Sequence, residues 1–225
     1  MKRGCLFVAT LVALLLLTGG QAQAQMGMDL FKRPAITKVF HPVVGKGAVY
    51  QTTGRDSKST TIEMGIVGKE SVDGKDGFWM QFASTDEQGK SMVGKSLMTM
   101  DDFQYHRMIV QMPGQQAMEM PMQMSAATRQ KMQDSVTDWH SVGTETITVP
   151  AGTFSCDHWH SDKNNSDVWT SDKVTPFGMV KESSPNHTMV LTKVLDSVPD
   201  RITGPVKQFD MQEMMQQRRH QMPQQ

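Results

Sequence analysis

Cysteine is scarce in this chain. Its 225 residues hold two, Cys5 and Cys156, and Cys5 precedes an N-terminal apolar run expected to be removed, so no intramolecular disulfide can hold the mature fold. A surplus of positive charge is missing as well: 23 Lys and Arg stand against 23 Asp and Glu, and losing Lys2 and Arg3 leaves the chain slightly acidic. That balance argues against nucleic acid or an anionic membrane surface as a partner, since both require clustered basic charge. The longest hydrophobic run, Leu6 to Leu17, has about twelve residues, short of the roughly 20 that a spanning helix needs. Also absent are a Gly-x-Ser-x-Gly elbow, a His-Glu-x-x-His helix, a phosphate loop and a dinucleotide fingerprint. The sequence therefore implies no enzyme class, no catalytic residue and no cofactor.

What is present first is an export address. Lys2 and Arg3, the apolar run and the small-residue site Ala22-Gln23-Ala24 make residues 1–24 a signal peptide, with Gln25 where a lipid-anchored protein would carry cysteine. The mature product is expected to be soluble, without a transmembrane anchor, and periplasmic or secreted. Residues 25–206 are enough for one domain. Residues 207–225 read as a polar Met- and Gln-rich tail that, if helical, aligns Met211, Met214, Met215, Arg218 and Met222.

Within the domain, short alternating runs separated by turn residues predict an antiparallel β-meander. Ala48 to Thr52, Thr60 to Val67, Phe78 to Ala83, Ser91 to Met100 and Tyr105 to Met112 are its strands, and Asp73 to Gly77 and Asp86 to Gly89 are turns. Phe78, Met80 and Phe82 alternate with Trp79, Gln81 and Ala83 and should share one face. A short helix is expected from Ala126 to Asp134, capped by Ser125. The sheet resumes with Gly143 to Val149 and Thr153 to His160, joined by Pro150-Ala151-Gly152, where glycine suits the positive φ of a bulge after a type I turn. Val168 to Thr170, Met179 to Lys181 and His187 to Leu195 complete it.

Methionine stands in for leucine. Beyond the signal peptide the only leucines are Leu30, Leu97, Leu191 and Leu195, whereas the chain holds 21 Met. Thioethers are adaptable, which suits an irregular core or a pliable apolar groove.

Three segments, Val149-Pro150-Ala151-Gly152-Thr153-Phe154-Ser155-Cys156, Val168-Trp169-Thr170-Ser171-Asp172 and Pro176-Phe177-Gly178-Met179-Val180-Lys181, resemble a pattern in uncharacterised exported bacterial proteins. Those proteins are similar to the periplasmic lipoprotein-carrier superfamily, which sorts outer-membrane lipoproteins. The resemblance implies a mainly β, α+β architecture: a strongly curved antiparallel sheet or half-barrel, with one or two short helices closing its concave side. It also implies a non-enzymatic role, with a lipid or acylated protein as the partner class.

Two sets of residues are candidates for a site. Phe78, Met80, Phe82, Trp159, Trp169, Met189 and Leu191 would line either a filled core or a cavity for an apolar ligand. Cys156, His158 and His160, at two-residue spacing on a strand, offer sulfur and imidazole on one face for zinc or copper, and Met118, Met120, Met122 and Met124 offer thioethers to Cu(I). An envelope structural or assembly module without a small ligand is the third reading.

Overall fold

The computed structural model describes residues 34–100, 104–120 and 139–209. The expected signal peptide, Met122, Met124, the expected Ala126–Asp134 helix and most of the expected tail lie outside these residues.

The described chain is almost entirely β. Helix α1, Pro34–Thr37, is a single turn, followed by strands β1 Gly47–Gly54, β2 Ser59–Val72, β3 Lys75–Thr85, β4 Ser91–Thr99, β5 Tyr105–Gln111 and β6 Met118–Met120. Then come β7 Trp139–Val149, β8 Gly152–Ser161, β9 Ser166–Thr170, β10 Met179–Ser183, β11 His187–Leu195 and β12 Lys207–Gln208. Together they form one 12-stranded sheet in the order β12-β6-β5-β4-β3-β2-β1-β11-β10-β9-β8-β7.

Three features bear on the expected half-barrel. Helices closing a concave side are not present among the described residues, where α1 is the one helix. The sheet is mixed, because β12 runs parallel to β6 and so brings in two residues of the segment read as a tail. It is also open, with β12 and β7 at its edges. Yet β7 comes within 8 Å, Cα to Cα, of β10 and β11. In a flat sheet a strand three places away would stand about 14 Å off, so this end is coiled.

Local chemistry explains the hairpins. Asp73-Gly74 joins β2 to β3 as a two-residue turn between Val72 and Lys75, with φ of 51° and 79°, the backbone of a type I′ turn. Pro150 and Ala151 join β7 to β8, and Gly152 takes φ 137° opposite Val149, as the sequence suggested.

Alternation gives the sheet two working faces. On one, called the Tyr50 face here, Ala48, Tyr50, Ile62, Met64, Ile66, Met80, Met98, Met189 and Leu191 are buried in the main apolar cluster with Ala35 and Ile36 of α1 and with Phe40, Val174 and Phe177. Phe177 lies 5.5 Å from the Phe40 ring and 6.1 Å from the Phe82 ring. On the opposite face Ala83, Val93, Ile109, Ala117 and Ile202 form a smaller cluster.

That second face carries a strap. Gly47, Gly65, Gln81, Lys95, Ile109 and Glu119 are successive register partners across β1 to β6, so their side-chain positions form one lateral row. The segment after β11 is tied along it. Val198 packs on Gly47 and Gly65, and Gln81 is bonded at both ends, donating to Pro199 O and accepting from Arg201 N. Lys95 Nζ reaches Asp200 at 2.6 Å and Ile202 O at 3.1 Å. Gln208 finally pairs with Glu119. A strap of irregular backbone is tolerated there because its polar groups are bonded to the sheet's side chains.

Candidate functional site

The apolar candidates fall mostly on the Tyr50 face. Met80, Met189 and Leu191 are buried in the main cluster, and Phe78, Phe82 and Trp159 pack against it half-buried. Trp169 packs against the same cluster, also half-buried, but from a different direction. It follows Val168, whose side chain shares the Tyr50 face with Trp159 by direct register, so the Trp169 ring points the other way. Tyr50 itself is fully buried; its hydroxyl donates to Met179 O at 3.1 Å, and burial pushes its ionisation far above the ordinary phenol range.

Register extends this face toward β6. Phe82 is opposite Gly94, Gly94 opposite Val110 and Val110 opposite Met118. One row over, Met80, Ser96, Met108 and Met120 are successive partners. Met80 and Ser96 are buried, but Met108, Val110, Met118 and Met120 remain half-buried and belong to neither apolar cluster. Sequence reading had no means of finding Met108 and Val110 as their neighbours, because the pairing joins strands through a loop of irregular length.

The row of Cys156, His158 and His160 runs from core toward solvent. Cys156 is fully buried, and its Sγ is 3.7 Å from Phe154 O. Burial, followed by the negative charge of Glu145 and Asp157, pushes its thiol up to about 11. It is thus a neutral thiol near pH 7, whereas a metal ligand or nucleophile must be a thiolate.

The histidines are committed elsewhere. His158 Nε2 is 2.8 Å and His160 Nδ1 2.9 Å from the same oxygen of Asp167, while His158 Nδ1 is 3.0 Å from Glu145. Burial works against the Asp167 charge, but the hydrogen bonds from His160 and His158 outweigh it and hold the carboxyl below its usual range. Trp169 lies under this group: its ring stacks 4.6 Å from His158, Lys181 Nζ sits 4.7 Å from its centroid, and its N–H donates to Glu145. The arrangement pins edge strand β7 to β8 and β9. Among the described residues no group of three or more His, Cys, Asp and Glu side chains is placed to hold a metal ion.

One Ser-His-acid sequence also exists. Ser184 Oγ is 3.0 Å from His187 Nδ1, and His187 Nε2 is 3.6 Å from Glu182. But Ser184 Oγ also accepts from the backbone N–H groups of Asn186 and His187 and bonds His187 O. It closes the β10–β11 turn, which leaves it poorly disposed to attack a substrate.

No family model matches the chain, and no curated protein does. Solved structures do match. A candidate lipoprotein from Parabacteroides distasonis is 14% identical over 69% of this chain and 97% of its own, with a TM-score of 0.38. A candidate exported protein with a YmcC-like fold from Bacteroides fragilis is 13% identical over 69% and 98%, also with a TM-score of 0.38. A LolA-superfamily protein from Nitrosomonas europaea is 9% identical over 79% and 96%, with a TM-score of 0.21.

Proposed function

We propose that this chain is an exported, non-enzymatic protein that binds a lipid or other acyl chain on the Tyr50 face of its sheet. The observation carrying this reading is the strip of Met108, Val110, Met118 and Met120, half-buried, on one face and outside the packed clusters, continuous through Phe82 and Met80 with the core. Unbranched thioethers adapt to a flexible chain better than leucine does, and contiguous apolar surface marks an interaction site. Native mass spectrometry of protein purified from an exporting host should show bound lipid, and acyl ligands should raise its melting temperature. Met108→Asp should abolish both effects. An empty protein with an unchanged melting temperature would overturn the reading.

A second reading has its own observation: Met108 is opposite Met120, and Met118 is two residues away on the same face, which brings three soft thioethers within reach of one Cu(I) ion. Titration against a competing chelator should then show affinity that falls in Met108→Leu and Met120→Leu variants. Equal affinity in all three proteins would dispose of it.

A further inference from the structure

The two edges of the sheet are finished differently. Edge strand β12 has two residues, one of them Lys207, and shortness and lysine are what natural edges use to stop a further strand from adding on. Edge strand β7 has eleven residues, contains neither proline nor lysine, and is exposed from His140 to Thr146. Its turn fixes which backbone groups are spent. Val149 is opposite Gly152, Ile147 opposite Phe154 and Glu145 opposite Cys156; the pair closing a two-residue hairpin exchanges both its bonds, and every second pair after it does the same. The N–H and C=O groups of Thr144, Thr146 and Thr148 therefore point away from β8, and they have no backbone partner among the described residues. Although β7 comes near β10 and β11, these three threonines stay exposed.

We infer that β7 pairs with β7 of a second copy of this chain, antiparallel about a two-fold axis at Thr146. Outward groups must meet outward groups, which leaves few registers. An axis at Glu145 sets that carboxylate against its own copy, and like charges directly opposite repel. An axis at Ile147 or Thr148 draws in the buried Val149, and one at Thr144 carries the pairing into the bulge between Ser141 and Gly143. The Thr146 axis avoids all of these: it sets Thr146 opposite Thr146, Thr144 opposite Thr148 and Glu145 opposite Ile147, so every open group of the stretch is bonded and threonine meets threonine, a favourable cross-strand pair. This self-complementarity selects a second copy as the partner. A two-fold contact uses the same edge of both copies and stops at two, since the β12 edge is blunted. The methionine strip on β5 and β6 lies at the other end of the sheet, so this pairing and the lipid reading stand or fall separately.

Sedimentation velocity of the processed protein is expected to show monomer passing to dimer as its concentration rises from micromolar toward millimolar. Thr146→Pro removes the central outward N–H from both copies without touching a bond to β8, and should weaken the dimer by about tenfold or more while leaving the melting temperature of the dilute protein unchanged. Cross-linking reads the register. Under mild oxidation Thr146→Cys should form a disulfide-linked dimer, because a hydrogen-bonded pair sets its Cα atoms about 5.5 Å apart. Thr144→Cys, about 14 Å from its copy, should not, and Cys156 is buried in both variants. A monomer at every concentration, a Thr146→Pro dimer as tight as the parent, or cross-linking of Thr144→Cys as fast as that of Thr146→Cys would each overturn the inference.

Discussion

Gly47 and Gly65 stand directly opposite each other on β1 and β2, and Val198 of the strap rests on the pair. A Cβ at Gly47 would sit 2.5 Å from both Met64 O and Val198 Cγ2, and one at Gly65 would sit 2.9 Å from both Val198 methyls. The two glycines thus serve as the seat that lets the strap reach the sheet. Gly47→Ala is expected to destabilise by about 1–3 kcal/mol through overpacking, measured by denaturant unfolding. Met64 O is backbone and cannot retreat, so adding Val198→Ala should relieve only part of the loss; full recovery would mean that the backbone clash is absent.

Farther along the same row Lys95 is the most confined cation of the strap contact. Its side chain is 11% exposed, with Nζ 2.6 Å from Asp200 and 5.3 Å from the Trp79 centroid. Breaking a buried pair by removing one partner is worse than removing both, because the survivor stays charged and unpaired. Asp200→Asn should therefore cost about 2–3 kcal/mol, and the Lys95→Met/Asp200→Asn pair should cost less than the sum of the single changes. Strict additivity in a double-mutant cycle would show that the two side chains do not interact.

Much of this was legible from alternation alone. Phe78, Met80 and Phe82 against Trp79, Gln81 and Ala83 announced the two faces, Asp73-Gly74 and Pro150-Ala151-Gly152 announced their hairpins, and His187–Leu195 carried a strand with the bounds expected. The strap was not legible, because Val198 to Val206 has no period and its meaning lies in partners up to 138 residues away, such as Glu63 for Arg201. Trp169 packs against the main cluster, as an aromatic on a short strand suggested, but its stacking on His158 and its contact with Lys181 were not legible, since they depend on register.

Asp167 should make the coiled end of the sheet sensitive to acid. Its folded-state ionisation lies below the ordinary 3.8, so the stabilisation it supplies is complete above that value and is lost as the pH falls through the depressed one. Asp167→Asn should therefore lower stability at neutral pH and flatten the decline below about pH 4. Glu119, held down chiefly by its bonds from Arg107, contributes in the same direction and remains in the variant, so some acid sensitivity should persist. Thermal melts of both proteins across this range provide the comparison. Parallel melting curves would mean that Asp167 is not the group responsible.

Cys156 should be chemically silent in the folded protein. It is fully buried, and burial together with Glu145 and Asp157 sets its thiol near 11, so at about pH 8 well under one molecule in a hundred carries the reactive thiolate. A disulfide reagent should leave Cys156 of the native protein unmodified for hours and react with it once guanidinium is added. Because labelling then requires opening of β8, its rate in the native state should follow global stability and rise in the destabilised Gly47→Ala variant. Rapid stoichiometric labelling of the native protein would place Cys156 at an accessible, activated position and would reopen the metal and redox chemistry that its burial argues against.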